Sequence, residues 1–133
     1  MSIAVYQRIT AGNFTPASLD GFVRRQEVAR CWRKRDSQWK LLPIAYVEDW
    51  DLDARRRRAE DILRCVEGGA PAYGAWVQGQ VSGLAQLALP RFGSREQYID
   101  LARFHVSLPC RGRGIGRELF RLACQGAREL GAE

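Results

Sequence analysis

The chain has 133 residues, 46% of them hydrophobic and 27% charged, the proportions of one ordinary globular domain long enough to bury one sizeable core. No apolar run approaches the roughly 18 to 20 residues that cross a bilayer, and Met1 to Thr10 lacks the basic start and apolar centre of a signal peptide, so a single cytoplasmic domain over residues 1–133 is expected. All but two of the 21 basic residues are arginine and the net charge is +6, which favours phosphate or carboxylate partners because the guanidinium fork grips such oxygens in pairs.

Ile3 to Ile9 is rich in β-branched and aromatic residues and ends at a Thr10-Ala11-Gly12-Asn13 turn, which predicts a first strand. Pro16 to Val23 predicts a short helix, with Thr15 placed to cap it and Pro16 at its first position. From Gln26 to Trp50, apolar residues flank Arg35-Asp36-Ser37-Gln38 and Pro43 disfavours a continuous helix. A β-hairpin is expected there, with a helix from Leu19 through Trp32 as the competing reading. Trp32, Trp39, Tyr46 and Trp50 crowd this segment beside Glu48 and Asp49. They read either as a second hydrophobic cluster or as an aromatic wall with carboxylates suited to a cationic amine.

Asp51 or Asp53 caps the next helix, in which Ala59, Ile62, Leu63 and Val66 recur at helical spacing and which stops at Gly68-Gly69. Arg55 to Arg58 sit at its start against the macrodipole and read as a solvated face, or as a contact surface for an acidic partner. Ala72 to Val77 and Gln80 to Leu89 predict strands joined by a tight Gln78-Gly79 turn, and Tyr98 to Val106 predicts another strand. Ile115, Leu119, Leu122, Ala123 and Leu130 mark one face of a helix from about Gly114 to Leu130, with Gly126 a mild local weakness. The order is β, α, β-hairpin, α, β, β, β, α. Cys31, Cys65, Cys110 and Cys124 form no C-x-x-C pair and the chain has one His, so no metal site is expected and the thiols read as reduced, small packing groups.

The strand ending at Val106 runs into a Pro break, then Arg111, Arg113 and Arg117 interleaved with Gly112, Gly114 and Gly116, then a helix. A helix start leaves backbone N–H groups without partners and carries partial positive charge, glycines let a ligand approach the backbone, and arginines add full charges. This is an anion site, with a basic helix cap as the plainer alternative. A dinucleotide fingerprint G-x-G-x-x-G starting at Gly112 fails because Arg117 stands at its last place, and no Gly-Lys-Ser/Thr follows to make a P-loop. What remains is Arg-x-x-Gly-x-Gly, Arg111 to Gly116.

In its strand–helix setting this motif resembles the Q/R-x-x-G-x-G/A cofactor motif of the GNAT superfamily of acyl-CoA-dependent N-acetyltransferases. Asp100 to Phe120 is similar to that family's fourth strand and third helix, and the preceding β, α, α, β, β order matches too. The resemblance implies an α/β GNAT-like fold on a mixed sheet, spanning roughly the first two-thirds of a usual domain with the 26–50 hairpin inserted. It implies acetyl-CoA as cofactor and acetyl transfer to a primary amine, on a small molecule or peptide, by direct attack in a ternary complex. Backbone N–H groups of Gly112, Arg113, Gly114, Ile115, Gly116 and Arg117 would hold the pyrophosphate, with Arg111, Arg113 and Arg117 as screening charges. Backbone groups of Phe104, His105 and Val106 would bond the pantetheine arm, and the Val106 N–H would stabilise the oxyanion.

Asp100 lies six residues before Val106, so strict alternation places both on one face. It aligns with the carboxylate that some GNAT enzymes use as general base; a strand-end acid bonded to backbone or a nearby Arg is the alternative. Glu48 and Asp49, beside Trp50, are rival bases or binders of substrate charge. His105 alternates to the other face, where a lone strand His reads as a packed residue.

The chain stops at Glu133, whereas the family continues with a fifth strand, a fourth helix and two more strands. Those would supply the far wall of the cleft and often a Tyr that protonates the departing thiolate; no tyrosine here takes that role. A fragment is expected, ahead of a fold completed by a partner copy through the open strand edge, as in a homodimer, or a shortened relative. The alternative function is a non-catalytic module, a coenzyme A sensor or a basic nucleic-acid binder. Without a helix-turn-helix or an aromatic RNA platform, nucleic acid ranks last.

Overall fold

The computed structural model describes residues 3–23, 26–35, 38–48 and 50–132, with 26–48 described by its backbone. β1 (Ala4–Arg8) is followed by β2 (Gln26–Arg35) and β3 (Gln38–Glu48), which pair antiparallel as a separate ribbon. The predicted hairpin is therefore present and the competing helix is not. α1 (Leu52–Glu67) starts where Asp51 Oδ1 accepts the Ala54 N–H at 2.7 Å. It ends at Gly68, after which Gly69 adopts φ +97° and turns the chain out.

β4 (Ala72–Val77), β5 (Gln80–Phe92) and β6 (Tyr98–Val106) complete a sheet of order β1-β4-β5-β6, and α2 (Ile115–Glu129) follows. Every neighbouring pair is antiparallel, so the parallel pairing that makes a sheet mixed is not among the described strands. Alternating residues of β4 and β5 feed two cores. Ala72 and Leu84 join Ala59 and Ile62 of α1 on one face, while Tyr73, Ala85 and Leu87 join Ile115, Leu119 and Ala123 of α2 on the other. The helices thus cover opposite faces of the sheet.

Pro16 to Val23 is not a helix. Ser18, Asp20 and Phe22 donate their N–H groups to the carbonyls three residues back, at 2.9, 3.1 and 2.9 Å, in a run of turns. The Ser18 hydroxyl accepts from the Thr15 N–H at 2.8 Å and competes with the helical pattern. Even so, Phe14, Leu19 and Phe22 are fully buried on the α1 face. Each such side chain contributes about 1.5–3 kcal/mol, enough to order the loop without regular structure. Gly126 is a packing requirement rather than a weakness, because a Cβ built there would overlap the Tyr73 hydroxyl.

Candidate active site

β6 ends in a braced loop. The Ser107 N–H donates to the Ser82 carbonyl at 2.8 Å, and its buried hydroxyl accepts from the Val23 N–H at 3.0 Å. A 3-10 turn over Leu108–Cys110 then leads to Arg111, whose Nε donates to the Val106 carbonyl at 3.0 Å. Gly112 and Gly114 have φ of +82° and +81°, and a Cβ added at either would meet nothing within 4 Å. These glycines answer a backbone need and leave open space outside the turn.

Gly114 is the N-cap of α2, and no side chain caps the helix. The first helical bond is Glu118 N–H to Gly114 carbonyl at 3.2 Å. Among the described residues nothing accepts from the N–H groups of Ile115, Gly116 or Arg117. Three donors, an open turn and the exposed Arg111, Arg113 and Arg117 make a cradle with the charge and hydrogen-bond donors that suit an anion. Arg113 also lines a cleft of about 270 Å3 with Ser107, Pro109 and Cys110. Ile115 sends its side chain into the core, and Gly116 faces β6, where a Cβ would make ordinary contact at 3.5 Å from the Phe104 ring and 3.6 Å from Val106 Cγ2.

β6 is paired on one side only among the described strands. The Val106 carbonyl is taken by Arg111 and the Ser107 N–H by Ser82, so Val106 points its backbone groups away from β5. Phe104, two residues earlier, does the same. His105 is in the other phase and opposite Leu84, so its backbone belongs to the β5 ladder and does not face the open edge. Of the three residues expected to bond the pantetheine arm, Phe104 and Val106 turn their backbone groups to the open edge and His105 does not.

The expectation that Asp100 and Val106 share a face fails. Arg103 pairs with Gln86 and Leu101 with Leu87, leaving Ala102 as an extra residue in a β-bulge. Val106 lies opposite Gly83, whose missing Cβ points at Leu119 and Ile115 of α2. Asp100 lies opposite Ala88, one residue beyond the α2-facing Leu87, and so faces α1. His105 lies opposite the α1-facing Leu84 and therefore shares the face of Asp100.

On that face Trp50, Arg58, Ala102, Arg103 and His105 line a cleft of about 350 Å3. The Trp50 ring stacks on Phe22 at 6.0 Å and meets His105 edge-on at 4.9 Å, and the Arg58 guanidinium carbon lies 5.8 Å from the Trp50 ring centroid. Arg103 Nη1 donates to Gln86 Oε1 at 2.6 Å, and the fully buried Gln86 donates from Nε2 to the Ile62 carbonyl of α1 at 3.1 Å. The signals for Arg58, Arg103 and Gln86 were a run of like charge and two polar residues inside strands. Composition alone assigns neither a role. Glu48 ends β3, but its side chain, and all of Asp49, lie outside the described residues, as do the side chains of Trp32, Trp39 and Tyr46.

The first half of the arginine run at the start of α1 folds back onto its own chain, while Arg57 and Arg58 stay exposed. Arg55 Nη1 donates to the Asp20 carbonyl at 3.1 Å, and the Arg56 fork grips the Asp20 carboxylate at 3.1 and 2.8 Å. The hydrogen bond from Arg56 holds the Asp20 carboxyl below the usual carboxylate range. Cys65 is exposed rather than packed, Cys110 and Cys124 are half-buried, and all three are free thiols. Among the described residues no group of His, Cys, Asp or Glu could hold a metal ion, and no helix is long and apolar enough to cross a membrane.

Residues 29–133 match the model of the acetyltransferase (GNAT) family. Comparison with curated proteins gives no match. Among solved structures, nourseothricin acetyltransferase superposes with a TM-score of 0.69 at 16% identity, over 97% of this chain and 69% of that one. A protein assigned as a streptothricin acetyltransferase from Bacillus anthracis str. Ames, in complex with acetyl coenzyme A, gives 0.64 at 15% identity, over 96% and 69%. IAA acetyltransferase from Bacillus cereus ATCC 14579 gives 0.52 at 18%, over 97% and 61%. At these identities the likeness is one of fold, and this chain spans 61–69% of the length of those proteins. The family model covers most of the sequence, including the whole β6–loop–α2 unit, and on that match the protein belongs to the GNAT acetyltransferase family, whose cofactor is acetyl-CoA.

Proposed function

We infer that the protein transfers acetyl from acetyl-CoA to a primary amine by direct attack in a ternary complex. The observation that carries this reading is the cradle itself: open left-handed glycines at Gly112 and Gly114, leading into a helix with no side-chain cap beside a one-sided strand edge. Acetyl-CoA, when bound, supplies an activated thioester acetyl group. The N–H groups of Ile115, Gly116 and Arg117, with Arg111 and Arg113 nearby, hold the diphosphate, and the outward backbone of Phe104 and Val106 orients the pantetheine arm. The Val106 N–H points from the same edge toward the place where charge develops on the carbonyl oxygen.

An alkylamine is protonated at neutral pH, its pKa lying near the lysine value of about 10.4, so a base must take its proton. Asp100 fills that role from the α1 face, and Trp50 walls the acceptor side. The side-chain chemistry sits on the face while the oxyanion donor lies in the plane of the sheet, so the two need not share a face to act on one amine. The nourseothricin and streptothricin acetyltransferases lend their fold, and the acceptor is read from this chain's own cleft.

Calorimetry with acetyl-CoA tests the reading. Saturable binding is expected for the wild-type chain and its loss in Gly114→Glu, which puts a carboxylate and a side chain with φ near +81° into the anion site. No heat at millimolar acetyl-CoA would overturn it, and binding without transfer to any amine in a panel would leave a non-catalytic coenzyme A module.

A further inference from the structure

We propose that the cleft on the α1 face recognises a carboxylate carried by the acceptor, so that the acceptor is an amino-acid-like amine. This rests on the transferase reading above and deepens it. Two guanidinium groups, Arg58 and Arg103, line the cleft, and neither forms an ion pair with a described carboxylate. Arginine stays charged at any relevant pH, and Arg103, half-buried where Arg58 is exposed, is costly to hold there without an anion.

Arg103 is also aimed. Its Nη1 is committed to Gln86 Oε1, and the Gln86 amide is fixed in turn by the Ile62 carbonyl, beside the apolar core under α1. A fully buried glutamine that serves only to brace α1 could be replaced by an apolar residue. One that turns its oxygen to an arginine at a cleft wall sets the direction of that arginine. Nη2 and Nε of Arg103 have no partner among the described residues, and together they form the edge of the fork that pairs with a carboxylate. Arg58, laid over Trp50, brings the second charge to the same space.

The face is ordered along the strand. The cleft begins at Ala102, two residues from Asp100, a step of about 6–7 Å along β6. An acid for the ammonium end therefore lies beside arginines for a carboxylate end, an arrangement complementary to a zwitterion. Two arginines would repel the second ammonium of a polyamine, which sets this acceptor apart from polycations.

His105 is the sole histidine of the chain and borders the cleft, so its imidazole signals in a proton NMR spectrum need no assignment. With coenzyme A present, N-acetylglycine and N-acetyl-β-alanine are titrated against the corresponding carboxamides. The carboxylates are expected to shift the His105 resonances saturably, the carboxamides not. Arg103→Gln should weaken the carboxylate response at least tenfold while acetyl-CoA affinity stays within twofold, and Arg103→Lys should restore part of it. Should Arg103→Gln fail to fold, the exposed Arg58→Gln carries the same test. Equal responses to acids and amides, or a carboxylate response unchanged in the foldable variant, would overturn the proposal. Acetyl-CoA binding without a carboxylate response removes the carboxylate site alone. A carboxylate response without acetyl-CoA binding removes the transferase reading and leaves the anion cleft.

Discussion

Toward α2, β6 presents Ile99, Leu101, Phe104 and Val106; toward α1 the same strand presents Asp100, Arg103 and His105. The first row packs or lies against a helix, and in the function proposed above its service to the cofactor comes from backbone groups at the edge. The second row carries the strand's acid, its arginine and its histidine. Strict alternation would mix the two, setting Asp100 beside Phe104 and Val106, and Ile99 and Leu101 beside Arg103 and His105. One extra residue, Ala102, changes the phase and sorts apolar from charged. The bulge thus separates a structural face from a chemical one within nine residues.

The largest expected break in this division is Asp100→Asn. Loss of a general base should lower turnover about 100- to 10,000-fold, with acetyl-CoA affinity unchanged because the diphosphate cradle belongs to the loop and α2. Steady-state kinetics beside calorimetry reads both numbers. Equal turnover in the variant would remove Asp100 from the chemistry and leave the α1 face a binding surface.

Gly126→Ala probes the structural face alone. Alanine gains about 1 kcal/mol of helix propensity over glycine, but the new Cβ meets the Tyr73 hydroxyl and, at 2.8 Å, its ring carbon. Overpacking of this kind costs about 1–3 kcal/mol, so the variant should be less stable in urea denaturation. Tyr73→Phe in the same chain should recover part of the loss, since the ring carbon remains. An unchanged midpoint would show that α2 slides freely over β4.

On the chemical face, Gln86→Leu removes the second hydrogen bond to the Ile62 carbonyl, which keeps its helical partner, and takes the Oε1 acceptor from Arg103 Nη1, a loss of about 1–3 kcal/mol. It also frees Arg103 to rotate. The kinetic signature is a raised acceptor KM with acetyl-CoA affinity intact; a stability loss with acceptor KM unchanged would make Gln86 a brace and nothing more.

The structural face was largely legible in the sequence. Ile115, Leu119 and Ala123 keep the helical period, Tyr98 to Val106 has strand composition, and the Gly-Arg turn between them has a stated backbone need, so ranges and motif agree with the structure. The chemical face was not. A bulge adds one residue with no composition of its own, and the available sign was subtle: the apolar phase runs through Ile99 and Leu101, then resumes at Phe104 and Val106, one step out. Pro16 to Val23 misled for a related reason. Pro16 after Thr15, and Leu19 three residues before Phe22, fit both a helix start and a run of turns burying the same side chains. The Arg55 to Arg58 run hid three destinations, the Asp20 carbonyl, the Asp20 carboxylate and the Trp50 ring, because a charge run says nothing of what folds back onto it.

That folded-back contact sets the smallest expected effect. Arg56 and Asp20 are exposed and salt-screened, so their pairing adds little to a loop already held by Phe14, Leu19 and Phe22. Its signature is the pH dependence. Asp20 titrates lower folded than unfolded, through the Arg56 hydrogen bond and then the nearby arginine charges. The stabilisation is therefore complete above the unfolded carboxylate range near pH 4 and disappears as pH falls through the lowered folded value. Between about pH 5 and pH 2 the wild-type midpoint should fall slightly more than that of Arg56→Gln, and the two should converge at the acid end. The gap at neutral pH should close in 1 M salt. A gap that persisted in salt and at low pH would mean that Arg56 holds the loop by packing its stem, and the charge on Asp20 would then be incidental.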